Sequence, residues 1–158
     1  MTTTDPCRIR RITSADVDAF LEQRLAIFRE MHGLAPGPRE DGFRVISREA
    51  IRDLANDPRT RLLLAMHGDV VAGSAALHAF ARLPSLASPV AAEGYVSHVF
   101  VLPEWRRRGV GAQLVRALLD EGRGLGLRRV RLHATAPGRA LYERLGFRLR
   151  TNDMEIAL

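Results

Sequence analysis

Cysteine is almost absent from this chain. Cys7 stands alone, so no internal disulfide and no thiolate metal cluster can be built from it, and its place at the head of a strand candidate marks a structural residue. Lysine is wholly absent: all 24 basic residues are arginine, so the chain offers no lysine side chain of its own for acetylation. Aromatic residues make up only 6%, too few for the stacked aromatic platforms that bind single strands. No apolar run approaches the roughly 20 residues of a membrane-spanning helix. The polar start Met1-Thr2-Thr3-Thr4-Asp5-Pro6 lacks the apolar stretch of a secretory signal. The expectations are a cytoplasmic protein with no membrane partner.

What is present describes an ordinary globular domain. The 158 residues, 46% hydrophobic and 27% charged, suit one domain spanning 1–158 with a substantial core. The net charge of +6 raises nucleic-acid binding as a reading, but the arginines are dispersed except at Arg106, Arg107 and Arg108. A site for a phosphorylated small molecule explains that cluster more economically, and no nucleic-acid partner is expected.

Along the chain, residues 7–12 form a short strand candidate. Thr13-Ser14-Ala15-Asp16 supplies N-cap chemistry for a helix over 15–31, with Val17, Phe20, Leu21, Leu25 and Phe28 at helical spacing. Three glycines and two prolines make 33–42 a loop, followed by a helix over 47–56 that starts at Ser47. Antiparallel strands are expected over 60–66 and 70–80 around the turn His67-Gly68-Asp69. After a loop over 81–92 come a strand over 94–102, a helix over 111–123 and a strand over 129–135. That strand–helix–strand order makes the two strands parallel. A short helix over 137–145 and paired strands over 147–150 and 154–158 close the chain. The fold class is α/β with a mixed sheet.

The densest chemistry is Arg106-Arg107-Arg108-Gly109-Val110-Gly111, placed between a strand and a helix start. The first turn of a helix leaves N–H groups unpaired and adds partial positive charge. Glycines let backbone approach a bulky anion, and arginine supplies forked donors for phosphate oxygens. The second segment is Ala140-Leu141-Tyr142-Glu143-Arg144-Leu145-Gly146-Phe147. There Leu141 and Leu145 bury one helix face and Tyr142 begins another. Tyr142 alone reads as a boundary aromatic.

Together, at this order and spacing, the two segments resemble the GNAT superfamily of acyl-CoA-dependent N-acyltransferases. The likeness runs through Arg106, Gly109 and Gly111 with the lead-in Pro103-Glu104-Trp105, and through the Leu-Tyr-Glu-Arg-Leu-Gly-Phe ending. The resemblance implies a mostly antiparallel sheet with one parallel pair splayed to hold coenzyme A, and acetyl-CoA as acyl donor with no metal. It also implies pyrophosphate binding at Arg106, Arg107, Arg108, Gly109, Val110, Gly111 and Ala112. Backbone groups of Val99, Phe100 and Val101 would bind the pantetheine arm and polarise the thioester carbonyl, and Tyr142 would be the general acid. Thr135 stands near a position where many relatives carry a cofactor-contacting Asn. Ser97 and His98 occupy the neighbourhood where relatives often have Glu.

The general base is left among four candidates. His98 has an ordinary pKa near 6.5, suited to neutral pH; Glu93, Glu30 and a water path are the rivals. His133 reads as structural or solvent-facing. The expected reaction is acetyl transfer to a primary amine of a small molecule or peptide, against a non-catalytic acyl-CoA-binding module as the alternative. Glu40 and Asp41 could attract a cationic amine from a solvated loop. A homodimer is compatible with the resemblance.

Overall fold

The computed structural model describes residues 7–150 and 152–158; Met1–Pro6, the basis of the signal-peptide reading, lies outside them. Five strands form one sheet in the order β1 (Arg8–Arg11), β2 (Thr60–His67), β3 (Val70–Ala81), β4 (Ala92–Val101) and β5 (Val130–Leu132). Neighbours pair antiparallel except β4 and β5, which are parallel. This is the mixed sheet expected from the crossover, because α3 (Val110–Gly124) carries the chain back to a strand of the same direction.

Helices cover both faces. On one side α3 lays Val110, Leu114 and Leu118 against Leu63, Ala75, Leu77 and Val96. On the other, α1 (Val17–His32) and α2 (Pro38–Asn56) bring Val17, Phe20, Leu21, Leu25 and Ile51 onto Leu62, Leu64 and Ala76. Covering β2 and β3 on both faces explains their near-continuous apolar runs. Asp16 secures the entry to α1: its carboxylate accepts from Arg10 Nη1 and Nη2, both at 2.7 Å, and from the Thr13 N–H at 2.7 Å. The expected N-cap chemistry is therefore present as a 3₁₀ turn over Ser14–Asp16 ahead of the α-helix.

Two expectations are overturned. The segment 38–46 is helix, so α2 is 19 residues long and Ser47 lies buried inside it. Pro38 occupies the first turn, where its missing N–H costs nothing, and the acids Glu40 and Asp41 suit the positive end of the helix. Glu40 is thus no lure for a cationic amine; it is buried and bonded by Arg29 and Arg44. Second, 147–150 and 154–158 are not strands among the described residues. Beyond Phe147 the described residues that follow α4 (Arg139–Arg144) are exposed, with Leu149, Met154, Ile156 and Leu158 all open to solvent. β5, at the edge where a further strand would pair, is only three residues long, shorter than either expected strand. Among the described residues no helix is long and apolar enough to cross a membrane, and no group of three or more His, Cys, Asp or Glu is placed to hold a metal.

Candidate active site

The loop at 106–111 closes into a basic nest. Arg107 has φ +64° and Gly109 φ +81°, so left-handed residues alternate with ordinary ones and turn successive N–H groups toward one concavity. The first intrahelical bond of α3 is Gln113 N–H to Gly109 C=O at 3.0 Å, and Gly109 provides no side-chain cap. The N–H groups of Val110, Gly111 and Ala112 are left for an anion. The three arginines divide their work. Arg106 turns back, donating Nε to the Val101 carbonyl at 2.9 Å and Nη2 to Glu30 at 2.5 Å. Arg108 lies over Trp105, with Cζ 5.1 Å from the ring centroid. Arg106 therefore ties the loop to β4 and α1, while the charge of Arg107 and Arg108 stays with the nest.

Beside the loop the sheet opens. β4 and β5 share only three rungs, Gly94 with Val130, Tyr95 with Arg131 and Val96 with Leu132; β4 continues to Val101 without its neighbour. A bulge at Ser97 sets which groups line the gap. Gly94 donates toward the β5 side, to Arg129 C=O at 3.0 Å, yet Leu102 donates toward β3, to Ala72 C=O at 3.0 Å. The register shift opposite Ala76 and Leu77 inserts one residue and reverses the alternation. After it, Val99 and Val101 face the gap and Phe100 faces β3. Of the three residues expected to offer backbone to the pantetheine arm, two are free to do so, and the Val101 carbonyl already accepts from Arg106.

Tyr142 rides on α4, which is docked on the start of α3. A Cβ added at Gly111 would meet Leu141 Cδ2 at 3.3 Å and Val101 Cγ2 at 3.7 Å, so Gly111 is the contact where loop, β4 and α4 meet. The Tyr142 ring packs edge-on against Phe147, 5.7 Å between centroids, and lines an open cavity of about 860 Å³ with β5, α3 and the residues after α4. Its hydroxyl has no protein partner among the described residues, and burial pushes its pKa above the usual phenol value; it stays protonated at neutral pH. Thr135 starts the α4 turn: its carbonyl accepts from the Gly138 and Arg139 N–H groups, both at 3.0 Å, and its Oγ1 accepts from Gly138 at 3.3 Å. The hydroxyl hydrogen remains for a ligand.

The α1 side of the gap holds the base candidates. His98 is 5% exposed, with Phe20 at 5.3 Å between ring centroids. Arg24 Nη1 faces its Nδ1 at 3.4 Å and Ser74 Oγ lies 2.7 Å from its Nε2. A guanidinium only donates, so Nδ1 keeps the lone pair and Nε2–H donates to Ser74. Burial, with the Arg24 charge adding to it, pushes the His98 pKa down to about 3. The imidazole is a neutral spacer whose lone pair is turned to a cationic donor, a poor seat for a proton. Glu93 is 3% exposed and clasped by Arg82 at 2.7 Å and Arg131 at 2.5 Å. Glu30 holds Arg106. His133 bonds Tyr95 through Nδ1 at 2.5 Å across the last rungs.

Sequence reasoning passed over a different histidine. Ser97, exposed at the bulge, has its Oγ 2.7 Å from His78 Nε2. Behind it Thr60 Oγ1 lies 3.4 Å from His78 Nδ1 and donates to Asp57 Oδ2 at 2.9 Å. With the Thr60 hydrogen committed to Asp57, Nδ1 carries the ring hydrogen and Nε2 accepts from Ser97. Burial lowers the His78 pKa, with Asp57 acting in the opposite sense and Arg24 in the same one. His78 is therefore neutral at pH 7 with its lone pair directed at a surface hydroxyl.

This geometry is matched outside the chain. The family model described as Acetyltransferase (GNAT) family matches residues 22–147. The chain belongs to the GNAT family. Among solved structures, a predicted acetyltransferase with acetyl-CoA from Clostridium acetobutylicum superposes with a TM-score of 0.84 at 16% identity, covering 96% of each chain. A GCN5-related N-acetyltransferase from Ralstonia eutropha JMP134 gives 0.81 at 23% identity, covering 96% of this chain and 98% of the other. An aminoglycoside acetyltransferase from an uncultured soil metagenomic sample, in complex with sisomicin, gives 0.68 at 17% identity with 96% of each covered. No curated protein matches the sequence.

For a GNAT chain the matched range is informative in its limits. It runs from within α1 to Phe147 and so contains the nest, the gap, Tyr142 and the His78–Ser97 pair. All but Phe147 of the C-terminal residues whose expected strands do not form lie outside it. The family identifies the protein as an acyltransferase that uses acyl-CoA.

Proposed function

We propose that this GNAT protein transfers the acetyl group of acetyl-CoA to a primary amine of a small molecule or peptide. The carrying observation is the unpaired nest at residues 107–112, joined through Gly111 and Leu141 to the helix that holds the unpartnered Tyr142 hydroxyl. These residues fit the donor: N–H groups and arginine charge for its pyrophosphate, and the free edge of Val99 and Val101 for its arm. Acetyl-CoA supplies the activated acyl group as a thioester.

The chain supplies the rest. N–H groups on the free edge of β4 stabilise negative charge on the carbonyl oxygen. As the C–N bond forms, the amine proton passes to Ser97 Oγ while the Ser97 hydrogen passes to His78 Nε2. As the C–S bond breaks, Tyr142 donates its proton to the thiolate. Ser97 is the first β4 residue beyond the last rung with β5, and two residues of strand, about 6.6 Å, separate it from Val99. Amine and carbonyl thereby meet at the mouth of the gap.

The experiment is thiol release from acetyl-CoA in the presence of an amine panel, repeated with Tyr142→Phe. Removing a general acid typically lowers turnover about 100-fold or more, and coenzyme A affinity is expected to change less than about threefold, because no cofactor-binding group is assigned to that hydroxyl. Unchanged turnover with the true acceptor would remove Tyr142 from the mechanism. Tight coenzyme A binding with no thiol release from any amine would favour a binding module instead.

A further inference from the structure

Arg24 is an arginine without a counter-ion in a place where one is needed. Its side chain faces the sheet from α1, with Cζ 4.7 Å from the Phe28 ring centroid and Nη1 3.4 Å from His98 Nδ1. No carboxylate of the described residues pairs with it. Four acids of α1, α2 and β4 are bound elsewhere: Glu22 and Glu40 by Arg29 and Arg44, Glu30 by Arg106, and Glu93 by Arg82 and Arg131. Burial alone draws the Arg24 pKa below the usual guanidinium value, with no acid acting to raise it.

A half-buried charge flanked by a neutral imidazole and a phenyl ring loses hydration without gaining an ion pair. Such a conflict between local chemistry and fold marks a site where a ligand completes the arrangement. The geometry states what that ligand carries. A guanidinium has five N–H donors in a flat fork, and only one is directed at His98. The rest match the two oxygens of a carboxylate. The field of Arg24 also reaches His78, whose Nε2 bonds Ser97, so the cation and the amine-accepting hydroxyl share one face of the sheet. Glu30 and Glu93 are already committed to arginines, so neither is left to hold a second ammonium group.

We propose that Arg24 binds a carboxylate of the acceptor, so that the molecule acetylated is an amino acid or a short amine of similar reach bearing a carboxylate. This deepens the acetyl-transfer reading and rests on it, so the experiment reads binding and chemistry separately. Wild type, Arg24→Gln and Arg24→Lys, each saturated with coenzyme A, are titrated calorimetrically with the L-amino acids and with the corresponding carboxamides. Thiol release from acetyl-CoA is followed with the same compounds and with polyamines.

At least one amino acid is expected to bind wild type about tenfold or more tightly than its amide, the scale of a lost charge-assisted contact. Arg24→Gln erases that preference, Arg24→Lys restores part of it, and coenzyme A affinity is unaltered in both. Equal binding of acid and amide, absence of binding by every carboxylate, a preference for polyamines, or a preference that survives in Arg24→Gln each overturns the proposal. If Arg24→Gln fails to fold, the wild-type comparison of acid with amide and the Arg24→Lys variant decide alone. Arg24-dependent binding without thiol release upholds the carboxylate site and sinks acetyl transfer. Thiol release with no acid preference does the reverse.

Discussion

Valine at Gly109 or Gly111 should abolish coenzyme A binding by two separable routes while leaving a folded protein. At Gly109 space is plentiful, since an added Cβ meets nothing nearer than Gln113 Nε2 at 3.9 Å. The obstacle is φ +81°, a conformation that costs an L-residue about 1–2 kcal/mol. Strain of that size lowers the melting temperature by about 2–8 °C in a chain of this length, or the loop relaxes and the nest loses its shape. At Gly111 the backbone is ordinary and contact is the obstacle: the Cβ stands 3.3 Å from Leu141 Cδ2, and the methyl groups beyond it push on α4 or into the gap. Each route withdraws two or more N–H donors from the pyrophosphate. Hydrogen bonds to charged groups contribute about 1.5–3 kcal/mol each, so affinity falls at least about 100-fold. Calorimetric titration with coenzyme A reads the affinity and thermal unfolding reads the fold. Gly124→Ala is the control: it sits at the far end of α3 with nothing within 4 Å of an added Cβ, and it should bind as wild type with equal or slightly higher stability. Folded Gly109→Val and Gly111→Val proteins that bind coenzyme A within twofold of wild type would refute the assignment of the nest.

The remaining predictions concern protons. With His78 as the base reached through Ser97, kcat/KM rises with pH through a limb below the ordinary histidine value of about 6.5, because burial lowers its pKa. His78→Gln and Ser97→Ala should both lose that limb and about 100-fold in rate, and a profile unchanged in either variant would return the role to water. Asp16 tests the fold: Arg10 holds its carboxyl well below the usual carboxylate range, and bonds from Thr13 act in the same direction. A depressed carboxylate stabilises fully above its unfolded pKa of about 3.9 and progressively less as pH falls below it. Asp16→Asn should therefore lower the melting temperature at pH 7 by about 4–8 °C, from roughly 2 kcal/mol of lost hydrogen bonding. The gap should narrow toward pH 2; a gap independent of pH would contradict the assignment.

How far these features could be read from sequence depended on whether they were local. Arg106 to Gly111 and Leu141 to Phe147 are contiguous, and each contains its own reason for its shape, so loop and terminal helix were legible together with β4 and β5, though not the strand expected after the helix. The start of α2 was not, because Gly37 and Pro38 punctuate a loop in most settings, and only burial of Glu40 against Arg29 shows that here they open a helix. The alternation of Met154, Ile156 and Leu158 states which residues would share a face but not whether a partner strand exists; none pairs with them among the described residues. His78 with Ser97, and Arg24 with His98, are bonds across 19 and 74 residues. No local spacing encodes them, since they follow from strand register and from where α1 lies on the sheet.

The bulge explains why the histidine legible in sequence was the inert one. Read with unbroken alternation, 94–102 places His98 on the face of Val96, toward α3, and turns the backbone of 98 and 100 into the gap. Inserting Ser97 as an extra residue reverses both outcomes. His98 crosses to the α1 face, where Ser74 and Arg24 satisfy its two nitrogens, and Val99 and Val101 take over the free edge. The extra residue itself has no cross-strand partner, which leaves its hydroxyl exposed to join His78. Burial then separates the two rings. His98 is sealed and neutralised beside a cation, whereas His78, further along the same face, keeps a lone pair one hydroxyl away from the mouth of the gap. A single inserted residue thus sets the free strand edge, the Ser97–His78 contact and the position of the cation relative to both. In this GNAT chain the proposed acceptor side is organised by register rather than by any contiguous motif.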